Sequence, residues 1–325
     1  MSKRSIATCE ARVGCNGKVH LSTTAKVGIL KISDRKRRIL RRSCVTGCGM
    51  LIVGLLASWI VAGRLVAPNN HLVGEPPSDL LVETISLPSQ SGTKIAGWHV
   101  LAESSRGVVV LLHGYSGSRL SMLDRARWLA VEGYATVLID LQAHGESRGT
   151  HITIGHLEKH DVVAAVEYAK SQHPDLPVGV LGVSLGGASA LLASPLNVDA
   201  MVLESVFPDI EAAVHNRVSA RLGILSYVPA ELLLIQMKPR FGVSVDDLRP
   251  IDFVANAGCP VFVMSGSDDL HTTAIETERI YEAAVEPKQL WLVDGAAHVD
   301  LLVASPEDYR KRVLSFLNRH LGTGE

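Results

Sequence analysis

A serine set between two glycines, a pair of aspartates ending one apolar run and a histidine ending another have the types and spacing to do chemistry. The serine is Ser184, in Gly182-Val-Ser-Leu-Gly186. This fits Gly-x-Ser-x-Gly, a strand-to-helix turn that lifts a serine hydroxyl above the edge of a sheet. The constraint is steric. A side chain on either flanking position would strike the neighbouring strand or helix, so glycine is needed at both. A serine hydroxyl is a weak nucleophile and needs a base within hydrogen-bond reach, oriented in turn by an acid. In such sites the chain order is Ser, acid, His. His298, in Asp294-Gly-Ala-Ala-His298, is the expected base. Three carboxylates compete to orient it: Glu204, Asp268 and Asp269, each ending an apolar run. Adjacent residues in a turning loop point different ways, so only one of the two aspartates can reach the imidazole. The other is expected to face solvent or to cap the helix beginning near Thr272. Such a set performs acyl transfer to water through an acyl-serine intermediate.

The oxyanion formed in that reaction needs backbone N–H donors. One belongs to the residue after the serine, Leu185. The other is expected from His113-Gly-Tyr-Ser-Gly117, where Gly114 permits a tight turn that presents the Tyr115 N–H. His113 itself reads as a structural hydrogen-bonding residue.

These residues need elements to hold them. Val178–Val183 is a short apolar run with β-branched residues, a buried strand, and Leu185–Ala193 reads as a helix. Val108–Leu112, Ala135–Asp140, Ala200–Glu204, Val261–Ser265 and Gln289–Val293 are further strands. Leu80–Leu87 and Lys94–Leu101 flank a Ser-Gly turn and predict an antiparallel pair at a sheet edge. Helical spacing predicts helices over Arg119–Glu132, Leu157–Ser171, Thr272–Val285 and Pro306–Leu321. Strands alternating with helices imply an α/β, doubly wound, mostly parallel sheet. Ligands bind such sheets at the carboxyl ends of the strands, where Ser184, the two aspartates and His298 all fall. Residues 205–255 break the alternation. They hold helical pieces over Ile210–Arg221 and Ala230–Met237 between Pro208, Pro229 and Pro239, and predict a lid. Within it, Leu232-Leu-Leu-Ile235 reads as core, or as a surface for an acyl chain.

The chain has 325 residues and a net charge of −1, so no nucleic-acid partner is implied. Four of the five cysteines lie before residue 50, which excludes a disulfide framework in the main domain. No Cys/His cluster has zinc spacing, so no metal is expected. Residues 1–43 read as a disordered leader ending in a basic run: Lys31, Arg35, Lys36, Arg37, Arg38, Arg41 and Arg42. Residues 44–63 carry no charge and are long enough to span a bilayer as a helix. The apolar run exceeds a usual signal-peptide core, so an anchor is preferred to a cleaved signal. Arg64 is the only basic residue from there to Lys94. The asymmetry predicts a cytoplasmic N-terminus and a catalytic domain on the outer side. Residues 64–79 are a Pro-rich linker, and the catalytic domain occupies 80–325.

In order, the segments LLHGYSGS, VLIDLQAHGES, GVLGVSLGG, CPVFVMSGSDD and DGAAHVDL resemble the α/β-hydrolase superfamily, nearest the serine aminopeptidase and monoacylglycerol-lipase-like branch. The resemblance covers roughly residues 80–320. It implies the α/β-hydrolase fold with Ser184 as nucleophile, Asp269 as acid and His298 as base. It also implies Tyr115 and Leu185 as oxyanion donors, and no cofactor. The chain departs from the family pattern at Gln142-Ala143, where Arg-Gly is usual, in a loop that the resemblance makes structural. The expected function is a serine hydrolase acting on a small-molecule carboxylic ester. A peptidase or amidase, or a thioesterase, could run on the same residues. A non-catalytic binding protein on this fold is disfavoured because all three residues are kept.

Overall fold

The computed structural model describes residues 34–102 and 104–322. The expectations for residues 1–33, including Lys31 and two of the cysteines, lie outside them. The chain divides into units of residues 1–53 and 54–325.

Helix α1 (Asp34–Leu65) has 32 residues, and its apolar stretch is long enough to cross a membrane. Residues 34–43, expected as irregular leader, are already helical. Arginine and lysine are good helix formers, and Asp34 lies in the first turn, where a carboxylate is favoured.

The larger unit is built on one sheet. Its strands are β2 (Val82–Pro88), β3 (Lys94–Val100), β4 (Val108–Leu112), β5 (Ala135–Ile139), β7 (Val178–Val183), β8 (Ala200–Glu204), β9 (Val261–Gly266) and β10 (Lys288–Val293). Their order is β10-β9-β8-β7-β4-β5-β3-β2. Pairing is parallel from β10 to β5, and β3 and β2 are antiparallel at the edge, as expected. Two further strands, β1 (Asn69–Asn70) and β6 (His144–Gly145), form a separate parallel pair. Two-residue polar strands carry no periodicity and are invisible in the sequence. Residues 69–70, within the expected linker, are therefore hydrogen-bonded to the domain body, and Asn70 Nδ2 also donates to the Ser147 carbonyl (2.7 Å).

Helices α2 (Leu123–Val131), α3 (Glu158–Gln172) and α4 (Leu185–Leu192) follow β4, β6 and β7. The lid lies between β8 and β9 and holds α5 (Ile210–Leu222), α6 (Tyr227–Leu234), α7 (Met237–Phe241) and α8 (Ile251–Val254). The single helix expected over Ala230–Met237 is thus two. Pro229 and Pro239 each fall in a first turn, the one place a helix tolerates the missing N–H. Helices α9 (Ala274–Ala283), α10 (Leu301–Ala304) and α11 (Pro306–Leu321) complete the chain.

Both faces of the sheet are buried, and strand β4 shows how. Val108, Val110 and Leu112 join one apolar cluster with α3, α4 and Ile280 of α9. Val109 and Leu111 join the other, with α2 and with Tyr309, Val313, Phe316 and Leu317 of α11. Alternate side chains point to opposite faces, so a strand covered on both reads as a continuous apolar run. The carboxyl ends of β4, β7, β9 and β10 then open on one edge, and the candidate residues all lie there.

Candidate active site

Ser184 stands between β7 and α4 at φ 48°, ψ −108°. A positive φ on a non-glycine residue costs about 1–3 kcal/mol and persists only where the surroundings impose it. Here they do. A Cβ on Gly182 would come within 2.5 Å of the Gly187 nitrogen, and one on Gly186 within 2.5 Å of the Leu112 carbonyl oxygen. The turn is closed on one side by α4 and on the other by the end of β4. The Ser184 N–H donates to the Glu204 carbonyl of β8 (2.7 Å). The side chain borders a cavity of about 170 Å³.

Asp269 follows the end of β9 and is buried. Its Oδ1 accepts the N–H groups of His271 (2.7 Å) and Thr272 (2.9 Å), and its Oδ2 meets His298 Nδ1 at 2.7 Å. Burial pushes this carboxyl up. The hydrogen bond and charge of His298, with the two backbone donors, outweigh burial and hold it below the usual carboxylate range. A carboxylate on Nδ1 places the proton there and leaves Nε2 as the basic nitrogen. His298 is a quarter exposed. Its Nε2 and the Ser184 hydroxyl share no hydrogen bond among the described residues.

The rival carboxylates are accounted for. Asp268 is exposed, and among the described residues its carboxylate meets only the Ser267 hydroxyl (3.3 Å). It does not cap α9, because Thr273 does so in a reciprocal pair with Glu276. Glu204 is buried on the opposite face. Arg125 Nη2 reaches both its oxygens (2.9 Å each), and the Tyr309 hydroxyl (2.9 Å) and Leu301 N–H (3.2 Å) donate to it as well. That carboxylate ties α2, α10 and α11 to β8 and is not free to turn to His298.

Of the expected oxyanion donors, Leu185 is the first residue of α4, where helix N–H groups have no intrahelical partner. The Tyr115 N–H has no acceptor among the described residues. A Cβ on Gly114 would stand 3.6 Å from Ser184 Cβ, so the 113–117 loop lies directly against the serine. His113 is fully buried; its Nδ1 donates to the Gly114 carbonyl (2.8 Å) and its Nε2 accepts from Leu141 N–H (3.0 Å). Burial and the neighbouring His144 hold its pKa down at about 3, so it is neutral and structural, as expected.

The departure at Gln142-Ala143 is absorbed locally. Gln142 Nε2 donates to Glu158 (2.6 Å) and to the His151 carbonyl (3.0 Å), and its N–H donates to Asp161 (2.7 Å). Ala143 sits at φ 60°, a conformation that glycine adopts without cost.

The cavity walls include Phe207, Ile210, Val214, Leu233 and Met237 from the lid region, and Tyr115 and Leu185 beside the serine. The lid run 232–235 therefore divides: Leu233 lines the cavity, Leu234 is core and Ile235 is exposed. Sequence reasoning missed two contributors. Ala62, Leu65 and Val66, at and just after the end of α1, form part of the wall. The Tyr115 hydroxyl donates to the Leu65 carbonyl, and Ser58 Oγ accepts from Gln236 Nε2 (2.6 Å). The other is Arg217 of α5, which no motif marked. Among the described residues no group of His, Cys, Asp or Glu is arranged to hold a metal.

Residues 103–247 match the family described as serine aminopeptidase, S33. The Bacillus subtilis protein YqkD is 25% identical over 256 residues, covering 77% of this chain and 84% of its own length. The Mycobacterium tuberculosis protein Rv2307c is 29% identical over 269 residues, covering 77% of this chain and 86% of its own. Among solved structures, the Pyrococcus furiosus esterase Pf2001 superposes with a TM-score of 0.66 at 25% identity, over 79% of this chain and 99% of that one. Here the architecture is a mostly parallel sheet with a serine at the β7–α4 turn and a helical insertion after β8. The chain has the α/β-hydrolase fold.

Proposed function

We propose that the protein is a membrane-anchored serine hydrolase that cleaves carboxylic esters. The observation that carries this reading is Ser184, held at a strained turn on an apolar cavity, with the Asp269–His298 pair on the same edge of the sheet. Ser184 Oγ attacks the ester carbonyl. His298 Nε2 takes its proton and returns it to the leaving alcohol, while Asp269 holds the tautomer and stabilises the imidazolium. The N–H groups of Tyr115 and Leu185 receive the oxyanion. Water then repeats the sequence on the acyl-serine. Catalytic hydrogen bonds that are long in the free protein tighten in the reacting complex, where Ser184 Oγ and His298 Nε2 would meet. The apolar walls favour an ester with a hydrocarbon acyl chain over a charged peptide.

A series of p-nitrophenyl esters from acetate to decanoate, run beside an aminoacyl amide, tests the reaction class. The full chain in detergent is expected to turn over a short-to-medium ester and to leave the amide essentially uncleaved. An amide cleaved faster than every ester would make the protein an amidase or peptidase.

The anchor is proposed from the uncharged stretch 44–63 of α1, and the orientation from the basic residues that precede it. A reporter fused after Glu325 is expected to be active only if it works outside the cytoplasm. Release of the protein by a carbonate wash, or a cytoplasmic C-terminus, would overturn the assignment.

A further inference from the structure

The cavity beside Ser184 is apolar except for a few groups, and one of these is a cation. Arg217 lies on α5, in the lid, and lines the same cavity as Ser184, Tyr115 and Phe207. Guanidinium carries five N–H donors in a planar fork. Among the described residues the only one engaged is on Nη1, which meets the Ala213 carbonyl one turn back (3.1 Å). No carboxylate of those residues pairs with it.

The carboxylates whose charge it feels are already committed. Asp269 uses both oxygens on His271, Thr272 and His298. Glu276 uses both on the amide of Asn216 (2.8 Å each), and one also on Thr273 N–H. That contact ties α5 to α9, and Asn216 Nδ2 also donates to the His271 carbonyl in the loop after β9 (3.3 Å), so the helix that carries Arg217 is held over the site. Burial lowers the pKa of the guanidinium, the mark of a cation partly desolvated without a full partner. A charged group in apolar surroundings is costly unless it is paired, and no carboxylate among the described residues pairs this one.

We propose that Arg217 is a specificity residue that receives an anionic group of the substrate, so that the preferred ester carries a carboxylate or phosphate close to the scissile bond. This rests on Ser184 being the nucleophile. The shared chemistry is a planar or tetrahedral oxyanion gripped by the free edge of the guanidinium. The anion has two possible sources: the far end of a dicarboxylic half-ester, or the phosphate of an acylated glycerol phosphate.

The experiment measures kcat/KM on matched pairs with the full chain in detergent. One arm compares ω-carboxyl acyl p-nitrophenyl esters, from succinyl to suberyl, with neutral acyl esters of equal length. The second compares a 1-acylglycerol 3-phosphate with the matching monoacylglycerol by release of fatty acid. The wild type is expected to prefer the anionic member of at least one arm by about tenfold to a hundredfold, the range of a hydrogen bond to a charged group. Arg217→Gln is expected to remove that preference, and Arg217→Lys to retain part of it. The readout is the ratio within each pair, so a general loss of activity in a variant does not imitate the effect. Preference in one arm only supports the proposal and identifies the source. If the wild type favours the neutral member in both arms, or if Arg217→Gln leaves the ratio unchanged, the proposal is overturned. Turnover of the neutral esters by the wild type, absent in Ser184→Ala, would leave the hydrolase reading standing in that event. Failure of every ester, with no labelling by a fluorophosphonate, would remove both.

Discussion

Ser184→Ala is expected to lower ester turnover by about 10⁴-fold to 10⁶-fold and to abolish labelling by a fluorophosphonate probe. The wild type should be labelled once. The size of the effect follows from the cooperation of the proposed groups. Without Oγ there is nothing for His298 to deprotonate, and only the oxyanion donors and substrate binding remain to speed attack by water. Alanine also keeps the positive φ of the turn, so the cavity and the β7–α4 junction should be undisturbed. The variant is therefore expected to unfold at the temperature of the wild type, to within a few degrees. Labelling that survives the substitution would move the nucleophile elsewhere.

Asp269→Asn is expected to reduce turnover by about 10⁴-fold while Asp268→Asn stays close to wild type, although the two residues are neighbours. The difference lies in what each side chain meets. Asp269 is 2% exposed and reaches His298 Nδ1, whereas Asp268 faces solvent. An amide at 269 can present its NH₂ to Nδ1. That stabilises the wrong tautomer and turns the protonated nitrogen toward Ser184. Because Thr273 caps α9, Asp268→Asn should also cost no more than about 0.5 kcal/mol of stability. The pH dependence carries a sign. Asp269 is held below the usual carboxylate range in the folded protein. Its contribution to stability is therefore fully present above the unfolded carboxyl pKa and is lost as pH falls through the lower folded value. Denaturant titrations of wild type and Asp269→Asn should converge at acid pH and diverge toward neutrality. A dead Asp268→Asn and an active Asp269→Asn would reverse the assignment.

Much of this protein is legible in one dimension. Buried parallel strands such as Val108–Leu112 and Val261–Ser265 announce themselves because both faces are covered, which leaves no polar alternation to blur the run. The Ser184 turn is legible because its geometry excludes every residue but glycine at 182 and 186, a constraint written directly in residue types. The length and lack of charge of residues 44–63 are likewise properties of a contiguous segment. Three things were settled only by the tertiary fold. Glu204 and Asp269 both end apolar strands. That Arg125 and Tyr309 claim the first, while His298 meets the second, depends on residues some eighty to one hundred positions from Glu204 and 29 from Asp269. The pairing of Asn69–Asn70 with His144–Gly145 leaves no pattern, because two polar residues have no period. The cavity is assembled from the end of α1, the lid helices and the Ser184 turn, and Arg217 stands in its wall with no carboxylate partner among the described residues. Local patterning determines which segments become strand, helix or turn. Which side chains end up sharing a cavity depends on how distant segments pack, and a linear sequence does not display that.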